Sequence, residues 1–290
     1  MSSENFDIVH SHIGLTSGIY LWIAKECGIN HRISHSHATN VEKYNFLYNI
    51  KNKILKMMVT KYSTNLFACS NMAGRFMFNN NDFTLINNAI EVSKYSFNKG
   101  LRKKIRADFN IKQDEMIIGH VGRFAPQKNH EFLINIFSEY LKLDYNGKLC
   151  LLGEGPLYEK IKNIVDQSRF KDKVLFIGTV NNTEEYYQMF DCLVLPSLFE
   201  GLPVVGIEAQ AAGLPCFFSN EITKEVSITE NCTFLSIKND NAKEWAQKIY
   251  DLKKKKKMRE KNDQSIIKHG YSIDEEVNKL VALYEKIINE

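Results

Sequence analysis

The chain has 290 residues and a formal net charge of +4. That length holds two domains of ordinary size, and no apolar run is long enough for a membrane-spanning helix. The start, Met1-Ser2-Ser3-Glu4-Asn5-Phe6-Asp7, has neither the basic nor the apolar region of a signal peptide, and the six scattered cysteines (27, 69, 150, 192, 216 and 232) form no C-x-x-C. Several lie in apolar strand-like runs, so buried free thiols in a reducing, cytoplasmic compartment are expected.

Apolar runs of strand length recur at Asp7–His10, Arg32–His35, Leu66–Cys69, Phe83–Ile86, Met116–Gly122, Lys148–Gly153, Val174–Ile177, Cys192–Leu195, Cys216–Phe218 and Thr233–Leu235. Segments with helical spacing lie between most of them. That alternation predicts an α/β fold with parallel sheets and crossover helices. A boundary is expected after Asn87-Asn88-Ala89-Ile90. It gives a first domain over 1–90, a second over 91–270, and a closing helix over 271–290. The closing helix has an apolar face at Val277, Leu280, Val281, Tyr284 and Ile287–Ile288.

Five of the eight histidines lie in the first 37 residues. His10-Ser11-His12 and His35-Ser36-His37 each end a predicted strand, and the two-residue period puts both rings of a pair on one side. Such pairs can chelate zinc, which makes a small metallohydrolase the rival reading; a histidine that merely closes a strand is the plainer one. No carboxylate stands immediately beside the second pair. The segment Lys43 to Tyr62 mixes apolar residues with Lys51, Lys53, Lys56 and Lys61. It is either a helix packed on the sheet or one lying on a membrane surface. The basic runs at 101–106 and 253–257 predict solvated helix faces, with anionic lipid as the sharper alternative; no nucleic-acid module accompanies them.

Three strand-end turns carry the chemistry. Gly119-His120-Val121-Gly122-Arg123-Phe124 ends a buried strand, and Arg123 and Lys128 then hang from one short loop. Ligands of open α/β sheets bind at such strand ends, and two cations there suit a diphosphate. Leu151-Leu152-Gly153-Glu154-Gly155-Pro156 is a second glycine turn. It is no dinucleotide fingerprint, because Tyr158 holds the third glycine position. Pro196-Ser197-Leu198-Phe199-Glu200-Gly201-Leu202-Pro203, followed by Glu208, is strand, elbow and helix start. Pro203 is expected at the first helical position. A helix N-terminus offers free N–H groups to an anion, and a carboxylate beside it can accept hydrogen bonds from sugar hydroxyls. The plain reading of this string is one capping and one solvated glutamate.

The elbow resembles the E-x7-E element of retaining glycosyltransferases of the GT-B type, family 4 in particular, and Gly122-Arg123 with Lys128-Asn129 resembles their G-R-x(4)-K-N element. The strings Asp7-Ile8-Val9-His10-Ser11-His12 and Arg32-Ile33-Ser34-His35-Ser36-His37 point to the branch serving bacterial capsule and exopolysaccharide. The resemblance covers nearly the whole chain and implies two Rossmann-like domains facing a cleft. It implies transfer of a hexose or N-acetylhexosamine, with retention, from a UDP- or GDP-sugar to a growing, lipid-linked glycan. Gly122, Arg123 and Lys128, with the backbone of Gly201 and Leu202, would hold the diphosphate, and Gly153 would line the base. Glu208 would bind the ribose, and Glu200 the donor sugar. His37, with His35 as the near alternative, would face the transferred sugar. No Asp-x-Asp occurs, so metal-independent chemistry without a cofactor is expected. The family usually carries further residues before the first of these strings. The N-terminal domain is therefore expected to be incomplete, and a misassigned start, a partner chain supplying the missing strands, or a non-catalytic nucleotide-sugar-binding protein are the readings that follow. The enzyme would sit in the cytoplasm, peripheral to the membrane.

Overall fold

A computed structural model of the chain describes residues 5–37, 46–238, 241–255 and 259–290. The first four residues, Lys43, Lys256 and Lys257 lie outside the described residues. All ten strands read from the sequence form, most within one residue of the expected ends. The chain divides into two compact units, one of residues 1–89, 200–202 and 270–290, the other of 90–199 and 203–269.

The first unit holds β1 (Ile8–Ser11), α1 (Ser17–Glu26), β2 (His31–Ser36), α2 (Phe46–Tyr62), β3 (Asn65–Ala68), α3 (Asn71–Phe78) and β4 (Thr84–Leu85). The strands form one parallel sheet in the order β1-β2-β3-β4. Successive β3 residues point to opposite faces. Phe67 packs with Ile33 and Ile86, while Ala68 packs with Val59, Met77 and Phe78. α1 and α2 cross closely at Gly18, where a Cβ would lie 2.7 Å from that of Met58 and 2.8 Å from the Val59 nitrogen.

The second unit begins with α4 (Val92–Tyr95) and α5 (Lys99–Asp108). The stretch Ser93 to Asp108 is polar, basic and helical in pattern, but it breaks because the Asn98 side chain accepts from the N–H groups of Gly100 and Leu101 and so starts a new helix. Nor is the basic face of α5 simply solvated. Arg106 is fully buried, and both it and Arg102 pair with Asp191. There follow β5 (Met116–Val121), α6 (His130–Leu143), β6 (Gly147–Leu152), α7 (Tyr158–Asp166), β7 (Val174–Gly178), α8 (Thr183–Met189), β8 (Cys192–Leu195), α9 (Val204–Ala211), β9 (Cys216–Ser219), β10 (Cys232–Leu235), α10 (Ala242–Lys255) and α11 (Asp263–Lys268). The six strands are parallel in the order β10-β9-β8-β5-β6-β7. The chain runs outward from β5 through β7, then jumps to β8 on the other side of β5. That jump is the switch point where such sheets open a ligand crevice. The Phe190 ring covers Gly119 so closely that a Cβ there would lie 2.1 Å from it.

α12 (Ile273–Asn289) belongs to the first unit. Its packing face is rotated from the expected one. Leu280, Leu283, Tyr284 and Ile287 meet Ile33, Phe67 and Ile86, while Val277, Val281 and Ile288 stay exposed. Buried Glu276 fixes that rotation by accepting the Asn87 N–H at 3.0 Å. The cysteines are free among the described residues. Cys69, Cys150, Cys192 and Cys216 are buried as expected, but Cys27 is exposed just beyond the end of α1. No helix among the described residues is long and apolar enough to cross a membrane.

Candidate functional site

Glycine turns follow β5 and β6, and the elbow follows β8, all at the carboxyl side of the second unit's sheet. Backbone contacts hold them together. The Gly122 N–H donates to the Leu152 carbonyl, Phe124 N–H to that of Glu154, Leu157 N–H to that of Phe124, and Gly153 N–H to that of Gly178, at 2.8–3.0 Å. Gly153 has φ +123°, and a Cβ on it would lie 2.3 Å from the Gly122 oxygen, so only glycine fits. A Cβ on Gly155 would likewise meet the Phe124 oxygen at 2.6 Å.

The elbow is tied to the same loop. Leu198 N–H donates to the Gln127 carbonyl, the Gln127 amide to that of Phe199, and the Asn129 amide to that of Pro196. Asn129 is left-handed (φ 55°, ψ 47°), a conformation asparagine tolerates better than most residues. This gives the Lys-Asn pair a physical meaning. Asn129 turns the chain from the short Pro126–Lys128 helix into α6 while anchoring the end of β8.

Lys128 lies over Gly122, its Cε 3.0 Å from where a Cβ would stand; Arg123 is exposed. Beneath them are two buried histidines that sequence reasoning left without a role. His120 Nδ1 is 2.8 Å from the Val194 carbonyl, and its Nε2 has no hydrogen-bond partner among the described residues. His130 stacks on Phe124. Burial, then the neighbouring His130 and Lys128 charges, hold His120 well below the ordinary histidine value. Burial and then Lys128 bring His130 to about 4, so both rings are neutral at pH 7.

Pro203 is the residue before α9 rather than its first one. Its ψ of 100° is extended, and its carbonyl accepts from Gly206 N–H. The N–H groups of the first turn still face away from the helix body. Glu208 on α9 accepts from the Tyr187 hydroxyl at 2.7 Å and the Tyr95 hydroxyl at 3.1 Å. Burial raises its pKa, and the two hydroxyls oppose that rise. The tyrosines were not legible as partners; the one hint was that a buried tyrosine hydroxyl needs an acceptor. Glu200, Gly201, Leu202 and His37 belong to the first unit, with Glu200 and Leu202 buried.

In that unit the four histidines of the two predicted pairs cluster. The His10 and His12 ring centroids are 4.2 Å apart, as are those of His35 and His37, and His12 Nδ1 is 2.8 Å from His37 Nε2. Burial is the largest cause lowering the pKa of all four; it takes His10 to about 4 and His35 to about 2.

Two parallel-sheet units, the second with glycine turns and an elbow at its switch point, make the fold that of the GT-B glycosyltransferases. The glycosyl transferases group 1 family model matches residues 102–269, and the chain belongs to that family. It is 31% identical over 286 residues to EpsF of Bacillus subtilis (strain 168), named as a glycosyltransferase, covering 96% of this chain and 74% of that one. It is 28% identical over 283 residues to the capsular polysaccharide biosynthesis glycosyltransferase CapH of Staphylococcus aureus, covering 92% and 74%. The fold matches a crystal structure of Anabaena HepE in complex with UDP, with TM-score 0.81, 14% identity, and 97% and 79% of the two chains covered.

Proposed function

We propose that the protein transfers a hexose or N-acetylhexosamine from a UDP-sugar to a growing surface polysaccharide, with retention of configuration and without metal at the diphosphate. The observation that carries this reading is the interlocked Gly122–Asn129 and Pro196–Phe199 loops at the β5/β8 switch point. UDP is favoured over GDP by the HepE complex, and polysaccharide by the name of CapH. Lys128 and Arg123 neutralise the diphosphate, and their charges matter most as negative charge builds on the leaving nucleotide. Glu208, already aimed by Tyr95 and Tyr187, accepts the ribose hydroxyls. Glu200 and His37 contact the donor sugar.

The test is a thermal-shift panel with UDP, GDP and their sugars, without metal and then with magnesium. A ligand at about 100 times its dissociation constant should stabilise the protein by about 2.7 kcal/mol. No shift with any nucleotide, from folded protein, would overturn the reading. In the same assay Glu208→Ala should weaken UDP binding by about 1.5–3 kcal/mol, the value of hydrogen bonds to a charged group. Unchanged affinity would remove Glu208 from the site.

A lipid-linked acceptor and peripheral membrane attachment are supported by two exposed helix faces of the first unit. α1 exposes Ile19, Tyr20, Trp22 and Ile23, and α2, packed against it, exposes Ile50, Ile54 and Met57 beside Lys51 and Lys53. Basic and apolar side chains together suit an anionic bilayer surface. The protein should sediment with anionic vesicles at low salt and come off near 1 M salt, where the screening length falls to about 3 Å. Trp22→Ser should weaken the association. Failure to sediment at low salt would discard the idea.

A further inference from the structure

The geometry points to a site for a divalent transition-metal ion, zinc by chemistry, built from His10, His12 and His35 in the first unit. One ring nitrogen from each lies within 4.8 Å of those of the other two. The ligands of a tetrahedral zinc ion, at about 2.0–2.1 Å from it, stand roughly 3.4 Å apart. Rotation about the soft terminal torsion of each imidazole closes that difference. The set arises because two parallel strands in register, with Ile33 opposite His10, each end in a His-Ser-His run that projects to one side.

The nitrogens are also prepared as ligands. His10 Nε2 is buried with no hydrogen-bond partner among the described residues, and the His35 ring is buried with the Ile86 backbone as a polar neighbour. Leaving a buried polar atom unpaired is costly, and an ion removes that cost at the nitrogen it binds. Outer partners are in place as well. The Tyr284 hydroxyl lies 2.5 Å from His10 Nδ1, and His37 Nε2 lies 2.8 Å from His12 Nδ1. With the proton on Nδ1 in both rings, each Nδ1–H donates outward and each Nε2 lone pair is free for the metal, as in most protein-bound histidine–metal centres. Three protein ligands leave a fourth position for an oxygen: water or a sugar hydroxyl.

The three ligands are not among the residues proposed to hold the nucleotide, Arg123, Lys128 and Glu208, which belong to the other unit. The experiment uses the full chain, stripped with chelator and titrated with zinc, with content measured by mass spectrometry and cobalt(II) substitution read by visible absorption. One equivalent should bind, with four-coordinate cobalt absorption. His10→Gln and His35→Gln should abolish it. Tyr284→Phe, which removes only an oxygen, should weaken affinity on the order of 10–100-fold. Cys27→Ser and His269→Ala should bind as the parent does. Absence of stoichiometric zinc would overturn the site, as would zinc that survives His10→Gln with unchanged affinity in Tyr284→Phe, or zinc lost in Cys27→Ser. The UDP thermal shift, run on the metal-free protein, reports separately on the donor site.

Discussion

Asp191→Ala should destabilise the second unit by about 3 kcal/mol, the lower end of the range for removing one partner of a buried ion pair, because Arg106 is fully buried while Asp191 is partly exposed. Asp191 accepts from Arg102 at 2.5 Å, from Arg106 at 3.3 Å and from the Ile117 N–H at 2.7 Å, and so anchors α5 to the start of β5 beside β8. Arg106 is fully buried and also donates to the carbonyls of Met189, Lys112 and Glu115. Those four acceptors suit a guanidinium and nothing else. The buried network therefore adds little over an apolar one when intact, yet becomes costly when broken, because the charge on Arg106 has nowhere to go. A whole domain is stable by only about 5–15 kcal/mol, so the loss would be large. Urea unfolding should show a lowered midpoint at an unchanged slope. A change below about 1 kcal/mol would mean that water replaces Asp191 cheaply.

Lys128→Ala and Arg123→Ala should each lower kcat by about 10²–10³, the effect of removing one group that stabilises developing charge. Arg123 is exposed and Lys128 lies over Gly122, and the backbone bonds that shape the loop need neither side chain. Affinity for the intact UDP-sugar should fall less than kcat, since the leaving group carries more charge in the transition state than in the bound donor. Steady-state rates beside titrations with the unreacted donor check this. Equal losses in both quantities would make these residues ordinary binding cations.

The strands and the switch-point loops were legible because their signals are local. A buried apolar run bounded by glycine has few alternatives, and Gly122, Gly153 and the Pro196–Pro203 elbow announce themselves by spacing. Asn129 needed the structure, since its left-handed turn and its bond to Pro196 join residues 67 positions apart. Tyr95 and Tyr187 were invisible as the support of Glu208 for the same reason. Arg106 was misread because a basic residue on an amphipathic helix is ordinarily solvated, and only the fold reveals the carbonyls waiting for it. The rotation of α12 follows from Glu276, a buried carboxylate that apolar patterning assigns to solvent. The histidine pairs were readable as two same-sided pairs. Their union into one cluster follows from β1 and β2 lying side by side.

The main-chain bonds among the Gly122, Gly153 and Gly155 turns have a kinetic meaning. Loops normally open far more often than the sheet they decorate, and their amides exchange with solvent accordingly. Here the amides of Gly122, Phe124, Gly153 and Leu157 are locked to carbonyls of neighbouring turns and strand ends. These turns cannot open without parting the carboxyl ends of β5, β6 and β7. The loops that would meet the nucleotide therefore share the lifetime of the core, and the chain has no cheap way to loosen this site while the rest stays folded.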